Sequence, residues 1–492
     1  MTGKTTSKIR LAEIALTFIL AGSVAACGSS SKGTGGTGGA IGATGGKTGT
    51  DASTGQGGAD GGVADSSADS GPVTGPCMLP TATSPSGTAG LQAAGAAVAT
   101  TPTRPQLDAT AIDATYTIAK FLAFGQNVGA GAIADNWDPV TTGIGDVTTF
   151  TPMFTVASDG SGSHTSVQAA INDARLVTAT TCARIYILVK PGTYRNPVLV
   201  GNKASAPPIT LYGSDPDASK TVIVFGNASL TLGAAGTALG TSGSATFTQS
   251  SVGFQAKNLT IANDYAETGT GSEQAVALLN QGDKAQFENV RVLGNQDTLY
   301  VKTVNVAVIA RAYFRDSYIA GDTDFIFGRG TTVFDHCEIH TMGNNKTTGT
   351  ATAAPSTELL NNYGFLYSSC KFTADATVAA GGTYFARQWF EGNRLQAVGK
   401  MIVRNSTIGP HIMTGTPWQP WLSSNGTRAI PAPTPDAGAG ADAGDAGAGD
   451  AGVPTLVVTT PLYTSDDYYL LIGGGPSPAE TYIAEYGNTT GP

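Results

Sequence analysis

The chain has 492 residues, of which 41% are hydrophobic and only 13% are charged, so it can bury a large core but lacks the charge that solvated helix faces carry. Its 66 glycines favour a turn-rich β protein over a helical one. The net charge is −9, yet residues 146–425 hold 19 Lys+Arg and 19 Asp+Glu, so this central part has no basic footprint for nucleic acid. We therefore expect no nucleic-acid partner.

The N-terminus is typical of an export signal. Three basic residues precede an apolar run from Leu11 to Ala21, which is too short to form a transmembrane helix of the usual length. The run leads into Val24-Ala25-Ala26-Cys27, which resembles a bacterial lipoprotein cleavage box. We expect residues 1–27 to be a signal peptide ending at a lipidated Cys27, with the protein anchored to the outer membrane or cell surface through that lipid alone. The alternative is an ordinary signal peptide and a secreted protein.

Two segments of biased composition flank the folded part. Residues 28–100 are rich in Gly, Ser, Thr and Ala and cannot offset their ordering entropy by burial, which predicts a disordered tether. Residues 431–454 are dominated by Ala, Gly and Asp and predict a disordered insertion within a loop. We expect residues 101–150 to be an N-terminal extension that packs on the main domain, and residues 151–492 to form that domain.

The main domain is predicted to open with one short helix and to continue as strands. Thr165–Ala174 has a Thr or Ser cap followed by spaced apolar residues, which favours a short amphipathic helix. Short β runs separated by glycine or polar turns follow at Ile185–Val189, Ile209–Tyr212 and Val222–Phe225.

A loose internal repeat then appears, of the form apolar, any, small polar, any, any, apolar. Its six copies are Ala256–Ile261, Phe287–Val292, Phe314–Ile319, Phe334–Ile339, Tyr367–Phe372 and Val403–Ile408. Self-similar β units spaced by roughly 20 to 36 residues indicate a solenoid, in which each coil buries its inner face against its neighbours. A β-sandwich is the rival architecture, but its strands would alternate polar and apolar residues more cleanly.

The cysteines show no metal-site spacing, so we expect no metal and no other cofactor. Cys337 and Cys370 occupy the same place in consecutive repeats and should therefore stack about 4.8 Å apart, within reach of a disulfide. Two buried thiols in a ladder are an equally good interpretation. Whether Cys77 and Cys182 pair is likewise left open.

Three polar clusters interrupt otherwise apolar strands, at Gln274–Leu278, Gln296–Tyr300 and Gly321–Gly328. Asp297 follows Gln274 by 23 residues, and Asp324 follows Asp297 by 27 residues. Each interval is about one coil of a β-helix, and neighbouring coils are about 5 Å apart. The spacing therefore predicts one patch that holds all three clusters.

Such a patch suits acyl transfer. Two close carboxylates do not ionise independently, so one can donate a proton while the other stays a charged nucleophile. Gln274 and Gln296 add neutral N–H donors for a developing oxyanion. Arg387 can keep one aspartate charged, and Trp389 offers a platform for a sugar ring. The remaining acid of the third cluster, Asp322, is expected to be a turn residue.

Residues 150–425 are similar to the pectin methylesterase (pectinesterase) family. The family's QAVAL, QDTL and DFIFG motifs stand unbroken at Gln274–Leu278, Gln296–Leu299 and Asp324–Gly328, and its LGRPW resembles Phe385–Trp389. The resemblance implies an all-β fold, namely a right-handed single-stranded parallel β-helix with a short N-terminal capping helix. It implies hydrolysis of methyl esters of galacturonate units in pectin, giving demethylated pectin and methanol, by a protein that we expect to be monomeric.

The resemblance also implies a role for each site residue. Asp324 is the nucleophile that forms an acyl-enzyme, and Asp297 is the acid and then the base. The oxyanion donors are Gln296 and Gln274, and Arg387 holds Asp324. By the same resemblance, Trp389 lines the subsite that binds the sugar, and Tyr300 and Phe327 are expected to flank the same groove as further substrate-binding residues.

The sequence departs from the family at two places: Asn196 replaces the Glu of a G-x-Y-x-E pattern, and Gln388 replaces a proline.

Three alternative functions remain. A pectate lyase would need clustered acids for calcium and a basic residue, a polysaccharide-binding lipoprotein would not need both aspartates and Arg387, and an esterase for another acyl group would use the same residues.

Overall fold

The computed structural model describes the main domain and parts of its N-terminal extension. The described residues are 113–114, 116–123, 137–178, 182–203, 205–269, 273–305, 308, 310–358, 361, 363–387, 389, 391–393, 397–415, 417–419, 428–431, 455–458 and 482–491. The predicted signal peptide (1–27), the tether (28–100) and, apart from Pro431, the insertion (431–454) lie outside them. Within the described part of the chain, no helix has both the length and the apolarity to cross a membrane.

The described strands form three long parallel faces, which we call faces 1, 2 and 3. Face 1 consists of β1 (Phe154–Val156), β2 (Ile185–Val189), β5 (Ile209–Gly213), β12 (Arg311–Arg315), β15 (Thr331–Asp335), β19 (Phe365–Ser368), β23 (Lys400–Arg404), β28 (Tyr482–Tyr486) and the first halves of β8 (Gln255–Asn263) and β10 (Ala285–Leu293). Face 2 consists of the second halves of β8 and β10 with β3 (Gly192–Tyr194), β6 (Thr221–Phe225), β13 (Tyr318–Gly321), β16 (Glu338–Thr341), β20 (Lys371–Ala374), β24 (Thr407–Ile408) and β29 (Thr489–Thr490). Face 3 consists of β4 (Val198–Val200), β7 (Phe247–Gln249), β9 (Leu278–Asn280), β11 (Leu299–Val301), β14 (Ile326–Gly328), β17 (Thr350–Pro355), β21 (Thr383–Arg387) and β25 (Trp418–Gln419).

The remaining elements are short. Two antiparallel pairs are β18 (Thr357–Glu358) with β22 (Ala397–Val398), and β26 (Arg428–Pro431) with β27 (Thr455–Val458). The described helices are α1 (Ile118–Leu122), α2 (Pro139–Thr142), α3 (Val167–Leu176) and α4 (Gly240–Gly243), with 3₁₀ turns at Val147–Thr149, Ala218–Lys220 and Glu391–Asn393.

The chain visits faces 1, 2 and 3 in turn and pairs each strand with its equivalent one coil later. The pairing is parallel throughout the three faces, as between Phe287 of β10 and Phe314 of β12. The prediction of a parallel β-helix is confirmed, and so is the short N-terminal helix. That helix is α3, which is capped by the Ser166 side chain and buries its apolar stripe against the first coils.

The apolar position that opens each repeat forms a ladder inside the helix. Phe287, Phe314, Phe334 and Tyr367 stack in consecutive coils, with ring centroids 4.4, 5.3 and 4.6 Å apart. All four are buried with less than 1% exposure. A buried aromatic side chain contributes about 1.5–3 kcal/mol from area alone, so this ladder is a main source of cohesion between coils.

The small polar position of each repeat is the bend between faces 1 and 2. All six residues there have a left-handed backbone, with φ between 49° and 57°: Asn258, Asn289, Asp316, His336, Ser369 and Asn405. A left-handed backbone brings Cβ close to the following carbonyl, which Asn and Asp tolerate better than most residues. The left-handed backbone explains why this position of the repeat is polar in all six coils.

Two cysteines each lie one position after a bend residue, Cys337 after His336 and Cys370 after Ser369. Cys337 and Cys370 are buried, and both carry free thiols in this structure. Burial raises the pKa of the Cys337 thiol, and its neighbour Cys370 adds to the effect. Of the two interpretations left open by the sequence, the structure shows the thiol ladder. Cys77 lies outside the described residues.

The described part of the N-terminal extension covers the outside of face 1. Phe121 and Leu122 of α1 pack on outward side chains of four successive strands: Tyr313, Val333, Leu366 and Ile402. Arg311, which is fully buried, pairs with Asp283 at 2.7 Å and donates to the Leu122 carbonyl at 2.7 Å. The extension therefore accepts one of the hydrogen bonds of this buried cation.

The left-handed backbone at the bend predicts that Asp316 can be replaced by glycine but not by valine without loss of stability. The Asp316 side chain is 62% exposed, so few other contacts are lost. Asp316→Val should lower the free energy of unfolding by about 1–2 kcal/mol, because a β-branched residue resists the left-handed backbone. Asp316→Gly should leave stability within about 0.5 kcal/mol of the wild type, since glycine adopts this backbone freely. Urea denaturation of the two variants checks this, and equal stability of the Val variant and the wild type would contradict the assignment.

Candidate active site

The two aspartates lie in the turn that leads from face 2 to face 3. Asp297 lies two positions before β11, and Asp324 lies two positions before β14. The two strands pair in register, Leu299 with Ile326, so the aspartates hold equivalent positions in consecutive coils. The Asp297 N–H donates to the Thr323 carbonyl at 3.1 Å, which locks the turns together. Their Cα atoms are thus about 5 Å apart, one rung of the helix.

Both aspartates have a left-handed backbone, with φ of 65° at Asp297 and 47° at Asp324. The reversal lets the next residue enter the core: Phe325, which follows Asp324, is fully buried. The glycine of the same motif has a packing reason, because Gly328 has φ of 116° and a Cβ there would lie 2.2 Å from the Val301 carbonyl oxygen. Strained backbone of this kind persists only where the surrounding structure enforces it.

Arg387 reaches back across one coil to Asp324. It ends β21 in the outward row of face 3 that contains Phe327 and Ala354, and the small Ala354 leaves the space between them open. The Arg387 Nε donates to the two carboxylate oxygens of Asp324 at 2.9 and 3.1 Å, and its Nη2 donates to Oδ2. The side chains are 27% and 9% exposed, so this fork holds a largely desolvated carboxylate in one orientation.

The two glutamines border the aspartates on the side of the preceding coils. Gln274 lies between β8 and β9 and is 8% exposed. The N–H of the next residue, Ala275, donates to the Gln296 carbonyl at 3.1 Å, which joins the two glutamine segments. The structure therefore brings together Gln274, Gln296, Asp297, Asp324 and Arg387 on one side of the helix, at the turn before face 3 and on its outer surface.

The three predicted sugar-binding residues also cluster, but not as a row of exposed rings. Tyr300 and Phe327 stack at a centroid distance of 4.1 Å, and Trp389 lies over them at 6.3 and 5.7 Å. Tyr300 is fully buried and Phe327 is 3% exposed, whereas Trp389 is only partly buried. The expectation that Tyr300 and Phe327 flank a groove does not match this burial, since both rings pack against each other and against Trp389.

A buried ion pair is hydrogen-bonded to this aromatic cluster. Arg329 Nη1 lies 2.6 Å from Glu391 Oε1, and both side chains are at most 5% exposed. The Tyr300 hydroxyl donates to the same Glu391 oxygen at 3.0 Å. Sequence reasoning missed both charged residues, because no local pattern marks a partner 62 residues away along the chain.

A further acidic side chain, Glu267, lies beside Gln296. The Gln296 N–H donates to Glu267 Oε1 at 3.0 Å, and Asn345 Nδ2 donates to Glu267 Oε2 at 2.8 Å. Asp322 is fully buried, with Lys346 Nζ 3.8 Å from its Oδ1. Burial raises the pKa of both carboxyls, and the charge of Asp322 adds to the effect on Glu267. Asp322 does lie in a turn as expected, but its burial could not be predicted from the local sequence.

The arrangement can carry out nucleophilic acyl transfer. A carboxylate fixed by an arginine supplies the nucleophile, a second carboxyl one rung away supplies proton transfer, and side-chain amides supply oxyanion donors. Among the residues that the structure describes, no group of three or more His, Cys, Asp or Glu side chains is placed to hold a metal ion.

Comparison with known proteins identifies the family to which the chain belongs. The family model described as Pectinesterase matches residues 153–443. A pectinesterase of Ralstonia solanacearum is 44% identical over 348 residues, which cover 66% of this chain and 86% of that protein.

Solved structures share the fold. The rice weevil pectin methyl esterase superposes with a TM-score of 0.59 at 24% identity, covering 81% of this chain and 99% of that one. A pectin methylesterase variant in complex with a hexasaccharide superposes with a TM-score of 0.50 at 24% identity, covering 69% and 90%. From the matched family model and the Ralstonia relative it follows that this chain is a member of the pectinesterase family and a carboxylic ester hydrolase.

Proposed function

We propose that the protein hydrolyses the methyl ester of galacturonate units in pectin, releasing methanol and leaving a free carboxylate on the polymer. One observation carries the mechanism: Arg387 holds the Asp324 carboxylate in a fork, one coil away from Asp297. The aromatic cluster fits a carbohydrate substrate, because the partly exposed face of Trp389 suits a sugar ring and an ester methyl group.

In the first half of the reaction, an Asp324 oxygen attacks the ester carbonyl carbon. The negative charge moves to the carbonyl oxygen, where the side-chain amides of Gln274 and Gln296 donate hydrogen bonds to it. Collapse of this intermediate breaks the bond to the methoxy oxygen, which takes a proton from the carboxyl of Asp297 and departs as methanol. An anhydride between Asp324 and the galacturonate remains as the acyl-enzyme.

In the second half, Asp297 has become a carboxylate and acts as a base. It removes a proton from a water molecule, and the resulting oxygen attacks the galacturonate carbonyl of the anhydride. Asp324 leaves as the carboxylate that Arg387 stabilises. The product galacturonate carries the water oxygen, and Asp297 regains the proton that it needs for the next turnover.

Two other assignments predict different behaviour. A lyase would require calcium, so its activity would disappear in a chelator and return with added calcium. A polysaccharide-binding protein would retain pectin without releasing methanol. The paired aspartates, the arginine fork and the two glutamines support an esterase over both.

Substitution of the aspartates tests the mechanism most sharply. Asp324→Asn should reduce turnover on highly methylated pectin by several orders of magnitude, because an amide is a poor nucleophile. Asp297→Asn should cost about 10²–10⁴-fold, since methanol leaves slowly without a proton donor. Gln296→Ala should cost about 10²–10³-fold, as for one oxyanion donor. The measurement is methanol release by the purified main domain.

The matched control is Asp316→Asn, because Asp316 is also an aspartate with a left-handed backbone but lies at the bend between faces 1 and 2. It should retain wild-type turnover. Near-normal methanol release by Asp324→Asn would refute the proposed nucleophile.

We also propose that the mature protein begins at Cys27 and is held at the membrane by a lipid on that residue. The basic start, the apolar run and the Val24–Cys27 box support the proposal, as does the low-complexity segment that follows as a tether.

This second proposal predicts that a fatty-acid analogue labels the wild-type protein in bacterial cells, and that Cys27→Ala abolishes both labelling and membrane association. A chain lacking residues 1–75 should be soluble and active on dissolved pectin. An unlabelled wild-type protein would contradict the lipid anchor without affecting the proposed esterase activity.

A further inference from the structure

Gln274 has one described side-chain partner, a serine from a separate loop. Ser229 lies between β6 and α4 and is 3% exposed. Its Oγ donates to Gln274 Oε1 at 2.8 Å, and its backbone N–H donates to the Gln274 carbonyl at 2.8 Å. Ser229 therefore donates to both hydrogen-bond acceptors of Gln274, the side-chain Oε1 and the backbone carbonyl.

The loop that carries Ser229 is itself fixed to the body of the helix. The Ser229 carbonyl accepts from the Gly240 N–H at 2.9 Å. Asn263 Nδ2 donates to the Asn227 carbonyl at 2.8 Å and to the Val276 carbonyl at 2.9 Å, which ties this loop to the QAVAL segment. The serine hydroxyl thus has a defined position relative to Gln274.

The direction of this hydrogen bond decides what Gln274 offers to the substrate. A side-chain amide has an acceptor end and a donor end of nearly the same shape, so a half-turn exchanges them. With Ser229 Oγ donating to Oε1, the acceptor end is occupied, and among the described residues none accepts a hydrogen bond from Nε2. In the opposite orientation, Oε1 would face the developing oxyanion and repel it.

We propose that Ser229 is a positioning residue for the esterase reaction, which orients the Gln274 amide so that its N–H group faces the oxyanion. The inference rests on the proposed function, because it assigns Gln274 to oxyanion stabilisation. It adds a residue that lies 45 positions before the glutamine on which it acts and outside every family motif quoted above.

The test is a double-mutant cycle on methanol release from methylated pectin. Ser229→Ala should lower kcat about 10-fold with little change in KM, because a mispositioned donor loses part of the roughly 10²–10³-fold effect of one oxyanion donor. Gln274→Ala should show the full loss. In the Gln274→Ala background, Ser229→Ala should have no further effect on kcat, because the group on which it acts is gone.

The matched control is Ser317→Ala, since Ser317 is also 3% exposed. Its Oγ donates to the Arg315 carbonyl and accepts from the Val290 N–H, but it lies at the bend between faces 1 and 2, and neither of these hydrogen bonds reaches a site residue. The substitution should lower thermal stability to a similar extent and leave kcat unchanged. Ser229→Cys, which keeps the shape of the side chain with a somewhat larger terminal atom but donates weakly, should lower kcat and serves in the cycle if the alanine variant does not fold.

The outcomes separate the two claims. A wild-type protein that releases no methanol would defeat the proposed function. An active wild type whose Ser229 variants retain full kcat, or lose the same factor with and without Gln274, would defeat only the positioning role of Ser229.

Discussion

Parallel strand pairing at a spacing of about 4.8 Å is the constraint on which the site depends. Each coil repeats the path of the one before it, so residues separated by one coil length become neighbours. Leu299 pairs with Ile326, and the aspartates that precede these residues are thereby placed one rung apart although 27 residues separate them along the chain. A one-residue slip between β11 and β14 would move Asp297 out of line with Asp324 and turn outward side chains towards the core.

Left-handed backbone serves two purposes in this protein. At the bend between faces 1 and 2 it recurs in six coils and is structural, with residues such as Asn258 and Asn289 linked by a hydrogen bond of 2.8 Å between their side chains. At the turn before face 3 it occurs at Asp297 and Asp324, where the same geometry directs the following residue inward and leaves the carboxyl group at the surface of the site. The fold thus places acidic residues where Asp is one of the few side chains that tolerates the backbone.

Features that repeat along the chain could be predicted from the sequence. The six-residue repeat predicts a solenoid whose coils bury their apolar positions against one another, and the aromatic ladder is how the structure fills those positions. The intervals of 23 and 27 residues predict that Gln274, Asp297 and Asp324 meet, since each is close to one coil. The contact between Arg387 and Asp324 could not be predicted from spacing alone. Arg387 lies two coils beyond Asp324, and its side chain passes the small Ala354 in the coil between them.

Contacts made by loops could not be predicted in this way. Ser229 and Glu267 reach the site from loops whose sequences contain neither repeat nor motif, and their partners Gln274 and Gln296 lie 45 and 29 residues further on. Tyr300 packs against Trp389, which lies just after β21 and three coils beyond β11. In each case the deciding contact is set by the path of a loop outside the regular coil.

The claim that stacked coils assemble an esterase site is tested most directly by a crystal structure of the Asp324→Asn variant with a methyl-esterified oligogalacturonide bound. We expect an ester carbonyl carbon about 3–3.5 Å from the side chain of residue 324, as in a near-attack arrangement. The carbonyl oxygen should face the amides of Gln274 and Gln296, and the methoxy oxygen should lie towards Asp297. An ester group bound away from residue 324, or approached by Asp297 on the attacking side, would refute the proposed mechanism.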